Sequence, residues 1–364
     1  MNIGLYTLHA TNNVGAMLQT FALTKVLQRN GHVVEVVNVY TKDTELRNHH
    51  KSKGSIVHNI ARMIFRLLHS DISKMEQEFD DFHSKLPLSK RFYSYEEYIK
   101  APNSYDLHLV GSDQVWNLQK GYEYARFFLL DYINNSSKKK SYASSFGTTE
   151  LVKDVEKVKD ALASFDTISV REDTAVRFVQ NALNRESEQT VDPTLLFTAE
   201  EWDQYIEREP IVQGRYVLYY GVNRDNNVWS ILCEAKRRLN AKIVGIPGIL
   251  PPQYKFDEYI YSCGPLQFVN IVKHAEFVIT SSFHGLAFAV NYNKPFVLVK
   301  YGERMERMDS LVRLLGAESR IAETKNDLLR IIDKKLDGNI QISLQSARLK
   351  SLRWINDNIV NQKQ

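Results

Sequence analysis

Val278-Ile279-Thr280-Ser281-Ser282-Phe283-His284-Gly285-Leu286-Ala287-Phe288-Ala289-Val290 is the stretch that decides the fold. An apolar, β-rich run ends in small hydroxyl residues, a histidine and a glycine follow, and a helical run begins. That order places His284 where a buried strand turns into a helix, at the carboxyl edge of a parallel sheet. Open α/β sheets bind ligands at that edge. The first-turn N–H groups of such a helix lack intrahelical partners and favour anions. His284 is therefore read as the neighbour of an anion site, against the alternative of a capping histidine with no chemistry.

Working outward, the same alternation recurs on both sides. Ile3 to Leu8 reads as a strand, Thr11-Asn12-Asn13-Val14-Gly15 as a turn-rich loop, Ala16 to Gln28 as a helix and Val33 to Val39 as a second buried strand. This βαβ unit predicts a parallel sheet. Further strands are expected at Leu107–Val110, Lys140–Ser145 and Phe165–Val170. After Asp192-Pro193-Thr194 the pattern breaks, and Leu195 to Gln213 reads as a passage between halves. The second half repeats the pattern, with strands at Arg215–Tyr220, Lys242–Ile246, Phe277–Thr280 and Phe296–Val299 and helices at Ser230–Leu239, Leu266–Lys273 and from Ser310. The expected organisation is α/β in two domains, 1–197 and 210–340, with a cleft between them as the ligand's place, and a final helix within 343–364 packing back on the first domain.

Bulk properties agree. A chain of 364 residues exceeds the usual size of one core. A net charge of +4 is too small to argue for nucleic-acid binding. Two cysteines, Cys233 and Cys263, cannot staple such a chain and are not spaced as a zinc site, so a reducing cytoplasm is the expected setting. No apolar run is long enough to span a bilayer, and no cleavable leader is expected before the strand at Ile3. Segment 55–70 reads as a basic amphipathic helix, with Ile56, Ile60, Met63, Ile64 and Leu67 at helical spacing. It either packs on its own domain or contacts an anionic membrane surface, which would place the protein peripherally at the inner face of the cell membrane. No G-x-G-x-x-G or phosphate-loop lysine motif occurs, no residue cluster has metal-ligand spacing, and no metal is expected.

Six short motifs in order resemble the polysaccharide pyruvyl transferase family. They are Asn13-Val14-Gly15-Ala16-Met17-Leu18-Gln19; Gly111-Ser112-Asp113-Gln114-Val115-Trp116-Asn117 after Tyr105-Asp106; Lys140 to Gly147; Ser169-Val170-Arg171-Glu172; Val191 to Leu195; and Ser281 to Gly285. The resemblance covers nearly the whole chain. It implies a GT-B-like pair of Rossmann-like domains facing across a cleft. It also implies transfer of pyruvate from phosphoenolpyruvate, as a ketal, to a sugar of a bacterial surface polysaccharide or its lipid-linked precursor. Phosphoenolpyruvate is then a co-substrate and no cofactor is expected. The first domain becomes the acceptor side and the second the donor side.

A donor carrying a phosphate and a carboxylate calls for several cations, and arginine's fork suits both groups. Arg171 is the expected donor-binding cation, with a pairing to Glu172 or Asp173 as the alternative. His284 is assigned to donor binding and proton transfer, with Ser282 and Gly285 beside it. The family often carries an arginine where this chain has Ser282, so Lys300, Arg304 and Arg307 are the compensating candidates. Asp113 is the candidate base or hydroxyl-orienting group, or else a helix cap. Asn13, Gln19, Trp116 and Asn117 are the acceptor-side candidates, Trp116 offering a flat face to a sugar ring or else filling the core. A GT-B glycosyltransferase using a nucleotide sugar is the competing reading. Its usual pair of glutamates is not matched by the closely spaced Glu303 and Glu306.

Overall fold

The computed structural model describes residues 1–40, 71–101, 105–117, 122–133, 138–148, 155–221, 225–246, 254–299 and 305–361. The segment 55–70, Lys300 and Arg304 lie outside the described residues, so the expectations placed on them gain no structural account. The chain divides into two units. One comprises residues 1–53, 81–196 and 347–364, and the other residues 54–80 and 197–346.

The first unit is a six-stranded parallel sheet of β1 (Asn2–Tyr6), β2 (Val33–Val36), β3 (Leu107–Val110), β4 (Lys139–Ser144), β5 (Thr167–Val170) and β6 (Glu188–Gln189), in the order β2-β1-β3-β4-β5-β6. β3 and β4 are buried along their whole length; β3 reads as a mostly apolar run, whereas β4 carries Lys139 and Lys140, whose ammonium groups meet Ser164 Oγ at 2.8 Å and Asp166 Oδ2 at 2.6 Å. The helix Val14–Arg29 starts at Asn13, whose side-chain oxygen accepts from Ala16 N at 3.0 Å. It stops at Asn30, and Gly31 (φ +79°) supplies the left-handed turn into β2. Aromatic residues recur through the core of this unit. Trp116 and Phe165 meet edge to face at 5.9 Å, and Phe127 packs on Tyr6 at 5.6 Å.

β4 is irregular. Its pairing with β5 shifts between Ser141 and Ser144, and Ala143 adopts φ +49°. Such a bulge re-aims the residues after it. The Ser169 hydroxyl accepts from Ala143 N at 2.9 Å, replacing the lost ladder partner.

The second unit is built likewise from β7 (Tyr216–Tyr220), β8 (Lys242–Gly245), β9 (Glu258–Tyr259), β10 (Phe277–Thr280), β11 (Phe296–Val299) and β12 (Ile321–Ala322), in the order β12-β11-β10-β7-β8-β9 and all parallel. Numbered within the unit, this is the 3-2-1-4-5-6 order of the doubly wound dinucleotide-binding sheet, read from the other edge. Strand order reverses between β7 and β10 here, and between β1 and β3 in the first unit. Those two positions are the topological switch points where such sheets take ligands.

The helix Gly338–Ile355 begins among the residues of the second unit and ends among those of the first. There Arg348 Nε donates to Leu195 O at 2.6 Å, Ser351 Oγ accepts from Val191 N at 2.9 Å, and Trp354 packs on Tyr142 at 5.8 Å. No helix among the described residues is long and apolar enough to cross a membrane.

Candidate functional site

In the second unit the switch point is drawn tight. Ser281 N donates to Tyr220 O at 3.3 Å and Thr280 Oγ1 donates to the same carbonyl at 2.5 Å, which ties the ends of β10 and β7 together. Gly221, directly after β7, lies against Ser281, and a Cβ there would collide with the Ser281 hydroxyl. Gly285 lies against Thr280 in the same way. The helix Phe283–Asn291 therefore starts immediately at the edge, with Ser282 as its N-cap and Leu286 N→Ser282 O (3.0 Å) as its first full turn. Ser282 makes no side-chain cap bond. The N–H groups of Phe283, His284 and Gly285 belong to the turn that has no carbonyl behind it in the helix.

The strand-to-helix turn expected at His284 is thus where the structure places it. The ring is buried, 7% exposed, and lies edge-on to Phe283 at 5.2 Å. Arg307 stands half-buried in the first turn of the helix Glu306–Leu315, which follows β11.

The first unit's switch point is polar and dense. Thr7 Oγ1 donates to Ser112 O at 3.1 Å, and Gly111 approaches Thr7 so closely that an added Cβ would lie 3.0 Å from the Thr7 Cβ. Asp113 follows at φ +72°, a left-handed conformation that a non-glycine residue rarely adopts and that clusters at functional sites. Its backbone is fixed from both sides: Val115 N and Ser145 N donate to its carbonyl at 2.8 and 3.0 Å. Its side chain is 12% exposed and accepts from Gln114 N at 2.8 Å, a local cap rather than a helix cap.

Arg171 differs from the open cation expected of it. It is 4% exposed, and carboxylates occupy its guanidinium. Nη1 donates to Asp192 Oδ2 at 2.7 Å, Nε donates to Glu172 Oε1 at 3.1 Å, and Asp113 Oδ1 lies 3.9 Å from Nη2. Burial works against its charge, but Glu172, Asp192 and Asp113 outweigh that and hold its pKa above the ordinary value. Three carboxylates around one guanidinium leave little positive charge to offer an anion. The pairing with Glu172 weighed from the sequence is present, though buried rather than on the surface.

The structure places the acceptor-side candidates as follows, with Trp116 and Gln19 in the core. Trp116 is 1% exposed, donates through Nε1 to Phe128 O at 3.2 Å and packs on Phe146, so its face is part of the core. Gln19 is fully buried, with Nε2 donating to Thr7 Oγ1 (2.8 Å) and Ala16 O (2.9 Å), because its position falls on the inward face of its helix. Asn13 serves as the helix N-cap. Asn117 Nδ2 donates to Gln114 Oε1 at 2.8 Å, close to the Asp113 turn.

The sequence reading missed His9, three residues beyond β1 at the same edge. Its ring is buried, with Nδ1 3.2 Å from Thr7 O and Nε2 3.3 Å from Asn38 Oδ1, and it stacks on His83 at 5.7 Å and 5°. The signal was available: a histidine follows β1 much as His284 follows β10. It noted the motif that contains Asp192 but gave that residue no role.

The family model for polysaccharide pyruvyl transferases matches residues 13–303. A search among curated protein sequences returned no match. Among solved structures, one from Listeria monocytogenes described as a UDP-N-acetylglucosamine 2-epimerase superposes with a TM-score of 0.59 at 11% identity, covering 100% of this chain and 97% of that one. The Neisseria meningitidis UDP-GlcNAc 2-epimerase, solved with UDP-GlcNAc, gives 0.52 at 11% identity over 100% of both chains. A Polygonum tinctorium UDP-glucosyltransferase gives 0.50 at 9% identity over 100% and 99%. These likenesses establish the GT-B-like fold with its two Rossmann-like units, and nothing about ligands.

Proposed function

The chain belongs to the polysaccharide pyruvyl transferase family, and we propose that it transfers pyruvate from phosphoenolpyruvate to two hydroxyls of a sugar, forming a ketal. The family carries the coarse statement, a pyruvyl-transferring enzyme with a sugar acceptor. The donor and the residue roles rest on site chemistry. The single observation that carries them is His284 in the first turn of a helix at the β7/β10 switch point.

Phosphoenolpyruvate brings two anionic groups. The first-turn N–H groups beside His284 suit one of them, and the helix dipole favours negative charge there. Arg307 is the described cation proposed to assist, together with Lys300 and Arg304. The sugar is proposed to come from a bacterial surface polysaccharide or its lipid-linked precursor.

In the proposed reaction a sugar hydroxyl oxygen adds to C2 of the enol while C3 takes a proton and becomes a methyl group. Asp113 accepts the hydroxyl proton and His284 supplies the one at C3. The C2–O bond to phosphate then breaks and phosphate leaves with the bonding pair. The second hydroxyl adds to C2 and gives its proton to the departing phosphate, and the proton held by Asp113 returns to the neutral His284 through solvent. The products are the cyclic ketal and inorganic phosphate.

The test is phosphate release from phosphoenolpyruvate with p-nitrophenyl glycosides of galactose, glucose and mannose configuration, alongside thermal-shift titrations with phosphoenolpyruvate and UDP. Acceptor-dependent release and stabilisation by phosphoenolpyruvate are expected. His284→Gln and His284→Ala are expected to lose about a hundredfold or more in kcat. Stabilisation by UDP alone would instead favour nucleotide-sugar chemistry.

A further inference from the structure

Asp192 has four donors on its two oxygens, and two of them, from Ser112 and Arg171, border Asp113. It is 1% exposed. Its Oδ1 accepts from Thr194 N at 3.0 Å and from Thr194 Oγ1 at 2.7 Å. Its Oδ2 accepts from Ser112 Oγ at 3.1 Å and from Arg171 Nη1 at 2.7 Å. One carboxylate thus joins the turn after β6, the residue after β5 and the residue immediately before Asp113. Of the three carboxylates around Arg171, Asp192 and Glu172 have side chains 0% and 3% exposed, whereas Asp113 has 12%. Asp113 is thus the least covered of the three, and it is held in a left-handed backbone that persists only where its surroundings over-determine it.

We propose that Asp192 is a positioning residue: by holding Ser112 and Arg171 it keeps Asp113 in the left-handed turn, with its carboxylate aimed outward for the acceptor hydroxyl. The proposal rests on the pyruvyl-transfer reading, in which Asp113 is the base. Asp192 itself stays out of the reaction, because four donors already occupy its oxygens. Arg171 acts as the spacer that lets three carboxylates share this edge.

The arrangement makes a double-mutant prediction. Asp192→Asn can keep both Thr194 bonds through its remaining oxygen, so the turn after β6 stays closed while the charged grip on Arg171 is lost. Ser112→Ala cuts only the link to the residue before Asp113. Both variants of the full chain are assayed for phosphate release with the acceptor that supports wild-type turnover, beside Asp113→Asn and the double variant Asp113→Asn/Asp192→Asn. The expected result is a kcat lowered tenfold or more in Asp192→Asn and severalfold in Ser112→Ala. The KM for phosphoenolpyruvate should stay within twofold. The double variant should be no slower than Asp113→Asn alone, since Asp192 acts through Asp113.

A folded Asp192→Asn enzyme with wild-type kcat, or a double variant slower than Asp113→Asn by the full factor of the single change, overturns the proposal. If Asp192→Asn fails to fold, Ser112→Ala decides by the same criterion. Wild-type protein that neither gains thermal stability from phosphoenolpyruvate nor releases phosphate with any acceptor overturns the transfer reading, and this proposal with it.

Discussion

At residue 285 the argument for the donor site becomes one of space. Gly285 sits in the first turn of the helix Phe283–Asn291 and lies against the Thr280 side chain, which is itself pinned to Tyr220 O. A methyl group there cannot be accommodated by a flexible neighbour, because the threonine hydroxyl also bonds Ser282 N at 3.0 Å. Gly285→Ala is therefore expected to cost about 1–3 kcal/mol, the usual range for overpacking. It should also push the helix start off the strand and weaken phosphoenolpyruvate binding more than the stability loss alone explains. Urea denaturation and thermal-shift titration of the same preparation separate the two effects. A variant with wild-type stability and wild-type donor response would remove the steric basis for the site. Arg171 is a contrasting case at this scale. Its residue type was right for an anion, but type alone says nothing about neighbours, and the buried carboxylates that surround it come from three different loops.

At the scale of elements, the loop after β1 can be tested through its cap. Asn13 Oδ1 accepts from Ala16 N and begins a 16-residue helix that is buried along most of its length. Removing such a cap costs about 1 kcal/mol. Asn13→Ala should lower the denaturation free energy by about that amount and Asn13→Asp should restore it, with kcat following stability only. A specific loss of activity in Asn13→Asp would instead support the acceptor-binding role expected of Asn13. The elements themselves were largely legible. β3, β10 and β11 fall on the residues their apolar runs indicated, because strands buried on both faces have few alternatives. The edge strands β6, β9 and β12 were not legible, since two residues carry no periodicity. β1 also stops at Tyr6, two residues before its apolar run does, which turns Thr7 to Asn13 into the site loop. Of the site, the histidine turn was readable because it is local in sequence. The Asp192 network was not, for its members lie up to about eighty residues apart and meet only when the sheet assembles. Trp116 and Gln19 failed for a related reason: a motif shows that a side chain is specified, not whether the reason is a ligand or a core.

For the whole molecule, the distribution of buried histidines and paired carboxylates predicts which unit yields first to acid. Burial lowers the pKa of His9, and it brings those of His83 and His108 from 6.5 to about 4; the neighbouring His9 and Arg91 add to the effect on His83, and Lys138 and Lys139 to that on His108. All three belong to the first unit. The fold holds each ring neutral while the unfolded chain takes up a proton below 6.5. The stability they contribute is therefore complete above that pH and lost progressively as pH falls towards 4. For His108 the move to about 4 corresponds to about 3 kcal/mol as an upper figure. The second unit titrates differently. Hydrogen bonds to Arg237 and Lys325 lower the pKa of Glu234 to about 2, and that of Glu276 is lowered by its bond to Arg215. These groups contribute stability that is retained above the ordinary carboxylate range and lost only below it. Between pH 6.5 and 4.5 the loss should thus be concentrated in the first unit. Hydrogen exchange at pH 5 against pH 7, corrected for intrinsic rates, is expected to show loss of protection in peptides from 1–40 and 105–117 and little change in those from 225–246, which hold no histidine. His83→Phe keeps a flat partner for His9 but removes one titrating ring, so its melting temperature should fall less steeply over that interval than the wild type's. An equal acid loss in both units, or an unchanged slope in His83→Phe, would mean that these imidazoles do not set the acid limit of the fold.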